Sequence, residues 1–445
     1  AFPPSIPGFN KALKNEYNPA RARALLAEAG FAQGLDIELW ALPVADNGSG
    51  VAATKTVTVT GPATGAGTIN LYVAGQRVAI GVASGDSANS IATAINAAVG
   101  AVGTLPVTSG VSGAVVTLTA RNKGVLGSAI DVRHSYRGAQ GGEALPAGVG
   151  VTIAAGVAGA TDPVLTGLDA AMADIEYDFI AAAWPDTTAL DIYKSIMSDA
   201  AGRWAWLRQV YGHVWTAKSD TASNLLTLGA GRNDPHVSIV GCYDSPSWSP
   251  EVAAAAMASA AVALRADPAR PVQTLTVQGV LAPPPASRFT KSTANSLLGS
   301  GIATLVFDND GTARWQRSVT TYQKNPQNFT DRSMLDVETL FTLMAITRGL
   351  LGRLSSVFAR SKLARDGTRF GPGQPVATPG IIKAELAAHY ATLEAIGLVE
   401  DADGFAAATI VEIDANDPNR VNVLYAPNLV NQLRVLALLN QFRLA

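Results

Sequence analysis

One cysteine, Cys242, among 445 residues excludes an intramolecular disulfide and leaves the redox compartment open. The four histidines, His134, His213, His236 and His389, are scattered, so no metal-ligand spacing is present and no metal is expected. Neither sign of charge dominates: 33 Lys and Arg face 35 Asp and Glu, which excludes a strongly basic surface for direct nucleic-acid binding. Apolar runs such as AAAAMASAAVALRA are short, alanine-rich or broken by charge, so no membrane insertion is expected. The start, AFPPSIPGFNKALKN, has no basic stretch followed by an apolar block, so no signal peptide is read. It also lacks an initiator Met, as in a processed or partial chain. No G-x-x-x-x-G-K-[ST] loop and no strand-linked G-x-G-x-x-G occurs, and no cofactor is expected.

What is present suffices for roughly two to four domains, and the texture changes along the chain. Residues 17–44, YNPARARALLAEAGFAQGLDIELWALPV, read as a helix opened by Asn18-Pro19, closed by Gly30 and followed by a strand. Residues 51–157 are rich in Gly, Ala, Thr and Val with regular turn signals, the mark of a small β-rich unit. KTVTVTG and TINLYVAGQRVAIGV alternate with period two, with a turn at Gly75-Gln76. A helix capped by Asp86 or Ser87 follows, with Ile91 and Ile95 inward, and VVTLTA and SAIDVRHSY return to strand. The order expected is β-β-α-β-β, closed by GVGVTIAAGVAG.

Beyond Thr161, strand and helix alternate. YDFIAAAW, YGHVWTAK, HVSIVGCY and LTVQGV read as strands. A helix from Thr187 to about Trp206, TASNLLTLGAGR and SPEVAAAAMASAAVALRA separate them, which predicts a largely parallel sheet covered on both faces. From Met334 a long apolar-faced helix, the helix IIKAELAAHYATLEAIG and the strands TIVEID and RVNVLYAP predict an α+β unit. The fold class expected is therefore α/β and α+β multidomain, with a mostly parallel α/β core, an inserted small β-rich domain and a C-terminal α+β domain.

Catalysis finds little support. Among the histidines only His236 stands near an acid in sequence, Asp234. No G-x-S-x-G or G-T-S-M-A turn offers a nucleophile, and Ser245, Ser247 and Ser249 lie among prolines. No enzyme is expected. The cluster Asp366-Gly367-Thr368-Arg369-Phe370 with Gly371-Pro372-Gly373 reads as a structured turn in preference to an anion cradle. In the β-rich unit Tyr72 and Arg77 would suit sugar stacking, although Tyr72 reads equally as a half-buried strand residue. A secreted or surface binding protein, adhesin or solute-binding module, is the alternative reading.

Two resemblances are carried by particular stretches. Residues 17–44 resemble a segment of bacterial dipeptide-binding proteins, where a YDPxKAxxLLxEAG helix leads into a strand ending W-x-x-P. LARDGTRFGPGQPVATP, GLVEDADGF and VEIDANDPNRVNVLYAPNLVNQLRVLALLNQF closely resemble the C-terminal domain of contractile phage tail sheath proteins of the Mu-like branch. ELWALPVADNGSGVAATKTVTVTG and LTARNKGVLGSAIDVR resemble the same branch, so that likeness spans roughly residues 38–445. Three origins fit the importer-like stretch: a sheath variant that converged on a common helix-strand unit, a fragment fused upstream, or part of an importer. The importer is weakest, since its two-lobed fold has no counterpart in the remaining sequence.

The sheath resemblance implies a core of the kind called subtilisin-like, without implying its chemistry. It implies domains at 1–50 (core helix-strand segment or atypical leader), 51–160 (inserted β-rich outer domain), 161–330 (α/β core) and 331–445 (C-terminal α+β with a linking arm). It implies a structural subunit in the virion tail, assembled in the host bacterial cytoplasm. Stacked rings of this subunit polymerise around a tail tube and contract to drive it through a cell envelope. The partners implied are further copies of the chain in a helical homo-oligomer, the tail tube protein, and baseplate and tail terminator proteins. Without a nucleotide loop, the energy of contraction is expected in the metastable extended lattice. The segment RVLALLNQFRLA is apolar to its end. Arg434, Val435, Leu436, Leu438, Leu439 and Phe442 are the expected inter-subunit arm, pairing with a neighbour's sheet edge. The other reading of these residues is a last element tucked into its own domain.

Overall fold

A computed structural model describes residues 47–436. The helix-strand unit expected at 17–44 and the arm residues Leu438, Leu439 and Phe442 lie outside them.

Alternation builds the first sheets. In β1 (Thr54–Thr60) Val57 and Val59 point inward while threonines take the other face. Strands β2 (Gly67–Val73) and β3 (Gln76–Val82) form a hairpin whose two turn residues, Ala74 and Gly75, have φ of 53° and 82°. Two positive φ values match the primed turn that suits right-twisted strands, so the turn lies one residue earlier than the sequence suggested. The helix α1 (Ala88–Ala101) starts at Ser87, whose side chain accepts the Ser90 N–H, and Ile91, Ile95 and Val99 are buried. Next come β4 (Val107–Ser112), β5 (Val115–Ala120), β6 (Val132–His134) and β7 (Gly150–Ala155). The strands form two antiparallel sheets, ordered β4-β5-β1-β7 and β3-β2-β6, around one core. β4, VTSGVS, went unread because it has little apolar alternation. SAIDVRHSY is strand only at β6, after a 3-10 turn at Val125–Ala129.

A third sheet runs β12-β11-β10-β9-β8, made of β8 (Phe179–Ala181), β9 (His213–Ser219), β10 (Val237–Cys242), β11 (Ile302–Phe307) and β12 (Ala313–Arg317). The first four are parallel and β12 is antiparallel. Both faces are apolar, as buried parallel strands require. Trp215, Ala217, Val240, Ala303 and Leu305 meet α5 (Ser249–Ala266) on one face. Val214, Ile239 and Ile302 meet α3 (Thr187–Met197), α4 (Ala222–Ala230) and α6 (Lys291–Gly299) on the other. A short α2 (Leu168–Met172) precedes β8. Two expectations are corrected here. The helix from Thr187 ends at Met197, where the extended backbone of Ser198 turns the chain out. LTVQGV is not a strand: one bridge, Thr276 to Arg314, ties it to β12, and Thr274 (φ 70°) and Gly279 (φ 87°) break its extension.

The helix α7 (Val337–Phe358) has 22 residues, roughly 33 Å of rise. Its first half buries Phe341 and Met344 against the parallel sheet, while Ile346 belongs to a separate cluster with Tyr390, Leu398 and Phe405. That cluster gathers α8 (Pro379–Ala395) and α9 (Ala402–Ala408), the latter not anticipated. Two short pairs complete it: β13 (Lys362–Leu363) with β14 (Val376–Ala377), parallel, and β15 (Ile410–Ile413) with β16 (Val421–Leu424), antiparallel. No helix among the described residues is long and apolar enough to cross a membrane.

Candidate functional site

The last described stretch is anchored through Arg434, and the two described residues after it are exposed. Arg434 is 13% exposed and places Nη2 2.7 Å from Glu338 Oε2 and 3.0 Å from Asp336 Oδ1. Glu338 is fully buried at the start of α7, and its other oxygen accepts the Val272 N–H at 2.8 Å. Asp336 is also gripped by both Nε and Nη2 of Arg317 on β12, at 2.7 and 2.8 Å. Two carboxylates thus face two guanidiniums, the balance a buried ionic group needs. Arg434, expected within a linking arm, is bound inside its own chain. Val435 and Leu436 directly after it are 79% and 86% exposed.

The hairpin β15–β16 is the second feature. Its strands pair only with each other among the described residues, leaving an outer edge on each. Ile410 and Leu424 stand opposite one another across the ladder and both are exposed. Asp414 fixes the turn by accepting from the Asn422 side chain and from the Asn416 and Asp417 N–H groups, contacts that hold its carboxyl below the usual range.

The residues weighed for chemistry serve the fold instead. His236 Nε2 lies 3.0 Å from Asp199, and its ring stacks on Trp204 at 4.2 Å between centroids. Asp234 is paired with Arg232 and Lys194. His236, Asp199, Asp234 and Lys194 line a recess of about 280 Å³, but the one hydroxyl in its lining, Ser198 Oγ, accepts the Ala200 and Ala201 N–H groups. His213 is fully buried with Nε2 2.8 Å from Ser238 Oγ, which donates to the Val319 carbonyl. Burial first, then repulsion from His236, pushes the His213 imidazole well below its ordinary value and keeps it neutral. Ser245 and Ser247 bind the loop at 279–281, and Ser249 is buried at the start of α5. His134 touches Ser135, and His389 is held below its ordinary value by burial and by Arg353.

Tyr72 is not a sugar platform. It is buried and donates to Glu143 at 2.6 Å, and burial and that bond push its phenol up to about 12, while Arg77 is turned onto Asn70. The Asp366 cluster forms turns with Gly367 and Gly373 at positive φ, and Asp366 accepts the Gly380 N–H at the start of α8.

Residues 158–321 match the family model of the phage tail sheath protein central domain, and residues 330–443 match that of the phage tail sheath C-terminal domain. The Mu-like prophage FluMu tail sheath protein of Haemophilus influenzae is 38% identical over 410 residues, 91% of this chain and 82% of that protein. The chain belongs to the phage tail sheath family. Solved structures of sheath tail proteins from Desulfitobacterium hafniense and Listeria innocua are similar at 14% and 13% identity, each with a TM-score of 0.43. They cover 86% and 85% of this chain, and 80% and 78% of their own. A chain of the anti-feeding prophage baseplate matches with a TM-score of 0.39 and 13% identity, over 58% of this chain and 67% of its own. Sheath family membership is structural in kind and leaves the adhesin and solute-binding reading without support.

Sequence reasoning missed the Arg434, Glu338, Asp336 and Arg317 group, because its members are separated by up to 117 positions and only the fold joins them. It also ran a helix through residues 198–206, where Gly202 and Gly212 bracket a tight loop.

Proposed function

We propose that this chain is a sheath subunit that polymerises as stacked rings around a tail tube, as a component of the virion tail, and shortens with its neighbours to drive the tube through a cell envelope. The observation that carries the reading is the change at the C-terminal segment: Arg434 is anchored, and Val435 and Leu436 directly after it are apolar and exposed. Exposed Leu and Val side chains forfeit roughly 1.5–3 kcal/mol each that burial would supply, so Val435 and Leu436 are assigned to the arm, with the apolar Leu438, Leu439 and Phe442 that follow them in sequence, and Arg434 to its root. The hairpin β15–β16, whose outer edges pair with no strand among the described residues, is the kind of acceptor an extended arm can extend by backbone hydrogen bonds.

In the same reading residues 51–160 form an inserted β-rich outer domain, 161–330 the α/β core and 331–445 the C-terminal domain, with 1–50 as core segment or leader. Tail tube, baseplate and terminator proteins are the partners, assembly takes place in the host cytoplasm, and contraction draws on lattice packing. No catalytic role is assigned. Electron microscopy of the purified chain tests the proposal: long striated tubes are expected, and a monodisperse monomer at every concentration would refute it.

A further inference from the structure

Residues 199–212 carry two large apolar side chains in water, Trp206 at 73% and Leu207 at 77% exposure. The loop that holds them is not slack. Arg203, fully buried, donates from Nε to the Tyr211 carbonyl at 3.0 Å and from its two terminal nitrogens to Ala173 and Ile175. The Arg203 carbonyl receives the N–H groups of Val210 and Tyr211, each at 3.1 Å. Trp204 donates to the Gly212 carbonyl at 2.8 Å, and Arg208 is pinned to Asp169 and Asp174. A loop fixed at so many points presents its apolar tip with little ordering left to lose, the condition for a contact anchor.

The loop leads into His213, so the knob stands at the amino end of the parallel sheet. At the opposite end, where β10 and β11 finish, lies a recess of about 240 Å³ walled by Tyr243, Leu305, Phe307 and Phe289. That volume is below the roughly 300–1,000 Å³ of small-molecule sites and suits a large side chain. On its rim Lys291 has no ion pair among the described residues, and Arg288 is bound to the carbonyls of Pro283 and Asp308. The nearby acids are occupied: Asp244 by Arg133 and Asp308 by Arg314. Around the knob the balance reverses. Asp169, Asp174, Glu176 and Asp178 share Arg208 and Arg348, and acids remain in excess even with buried Arg203 counted.

We propose that Trp206 and Leu207 seat in the Tyr243, Phe289 and Phe307 recess of a second copy of this chain. Knob and recess lie at opposite ends of one sheet, so no molecule fills its own recess. The contact is heterologous, head to tail, the kind that generates rings or helical arrays. Opposite charge around the two ends favours that register over knob against knob. The inference rests on the self-assembly reading and names a surface in it independent of the C-terminal arm.

The test uses the full chain, with Trp206→Ser and Leu207→Ser combined, followed by sedimentation and by thermal melting of the unassembled protein. Melting should be unchanged, since both side chains are exposed, while the concentration needed for assembly rises at least tenfold. Two further variants, Leu207→Cys and Lys291→Cys, are mixed under oxidation. A disulfide-linked dimer should form between the two and not within either alone. Tubes from the unaltered chain together with equal tubes from the double serine variant would overturn this contact and leave the sheath reading intact. A Leu207→Cys homodimer, or no mixed dimer, would overturn the recess as its seat. An unaltered chain that never assembles would sink both.

Discussion

Arg434 Nη2 lies 2.7 Å from Glu338 Oε2 and 3.0 Å from Asp336 Oδ1, joining the last described turn of chain to the first turn of α7. Since α7 continues from the parallel sheet into the C-terminal cluster, this ion pair fixes the root of the arm to the element shared by both. Removing one member of a buried pair leaves the other charge without its partner, at about 3 kcal/mol. Arg434→Ala is therefore expected to lower unfolding free energy by about that amount in urea titration of the unassembled protein. Glu338→Gln with Arg434→Met should recover part of it, because neither charge then stays buried.

Truncation separates anchor from arm. A chain ending at Arg434 keeps the ion pair and should melt as the full unassembled chain does, yet fail to form tubes. A chain ending before Gln432 loses Arg434 as well and should melt at a lower temperature. Tubes from the first variant would show that assembly does without the arm, and equal melting of the two would show that the pair adds no stability.

The buried histidine predicts acid sensitivity. His213 has its folded pKa depressed well below the ordinary value near 6.5. The unfolded chain therefore binds the extra proton first as pH falls. The stability that neutral His213 contributes is full above about pH 6.5 and is lost as pH falls from there towards the folded pKa, with a slope of at most about 1.4 kcal/mol per pH unit. His389, also depressed, acts in the same direction. Melting temperature should decline from pH 7 to pH 5, and His213→Asn should flatten the decline without abolishing it. An unaltered slope would mean that His213 is not the group responsible.

How far the chain could be read without its structure depended on whether a signal was local. The period-two run of β1, the apolar runs of β9 and β10 and a helix cap at Asp86 or Ser87 are signals contained within a few residues, and each element formed, with Ser87 as the cap. LTVQGV has strand composition but only one bridge to β12, because tertiary pairing decides a strand and propensity does not. β4 shows the converse: VTSGVS is poor in apolar alternation and is recruited by pairing along β5. At the candidate site the exposed Val435 and Leu436 were legible as surplus apolar residues. Arg434 was not, because a guanidinium in an apolar tail reads as solvated until the fold brings Glu338 beside it. Arg203 eluded sequence reading for the same reason.

Arg203 is the strictest test of the loop at 199–212. Its guanidinium is fully buried, and burial, reinforced by the neighbouring charge of Arg208, pulls its pKa down from the ordinary value. It pairs with no carboxylate among the described residues; its hydrogen bonds go to the carbonyls of Tyr211, Ala173 and Ile175. Arg203→Met fills similar length but leaves those oxygens without donors, at about 1–3 kcal/mol for each one that stays buried. The loss should exceed that of either exposed substitution at the tip, where deletion of Trp206 or Leu207 costs the unassembled protein almost nothing. Arg203→Lys restores a charge and three donors, yet a tetrahedral ammonium cannot match three carbonyls arranged for a planar fork, so it should recover only part of the stability. Hydrogen exchange gives the decisive reading. The Val210 and Tyr211 N–H groups, which close the loop on the Arg203 carbonyl, should exchange faster in the Met variant, whereas those of β10 should not. Unchanged protection at Val210 and Tyr211 would show that the backbone bonds hold the loop by themselves and that the guanidinium is dispensable.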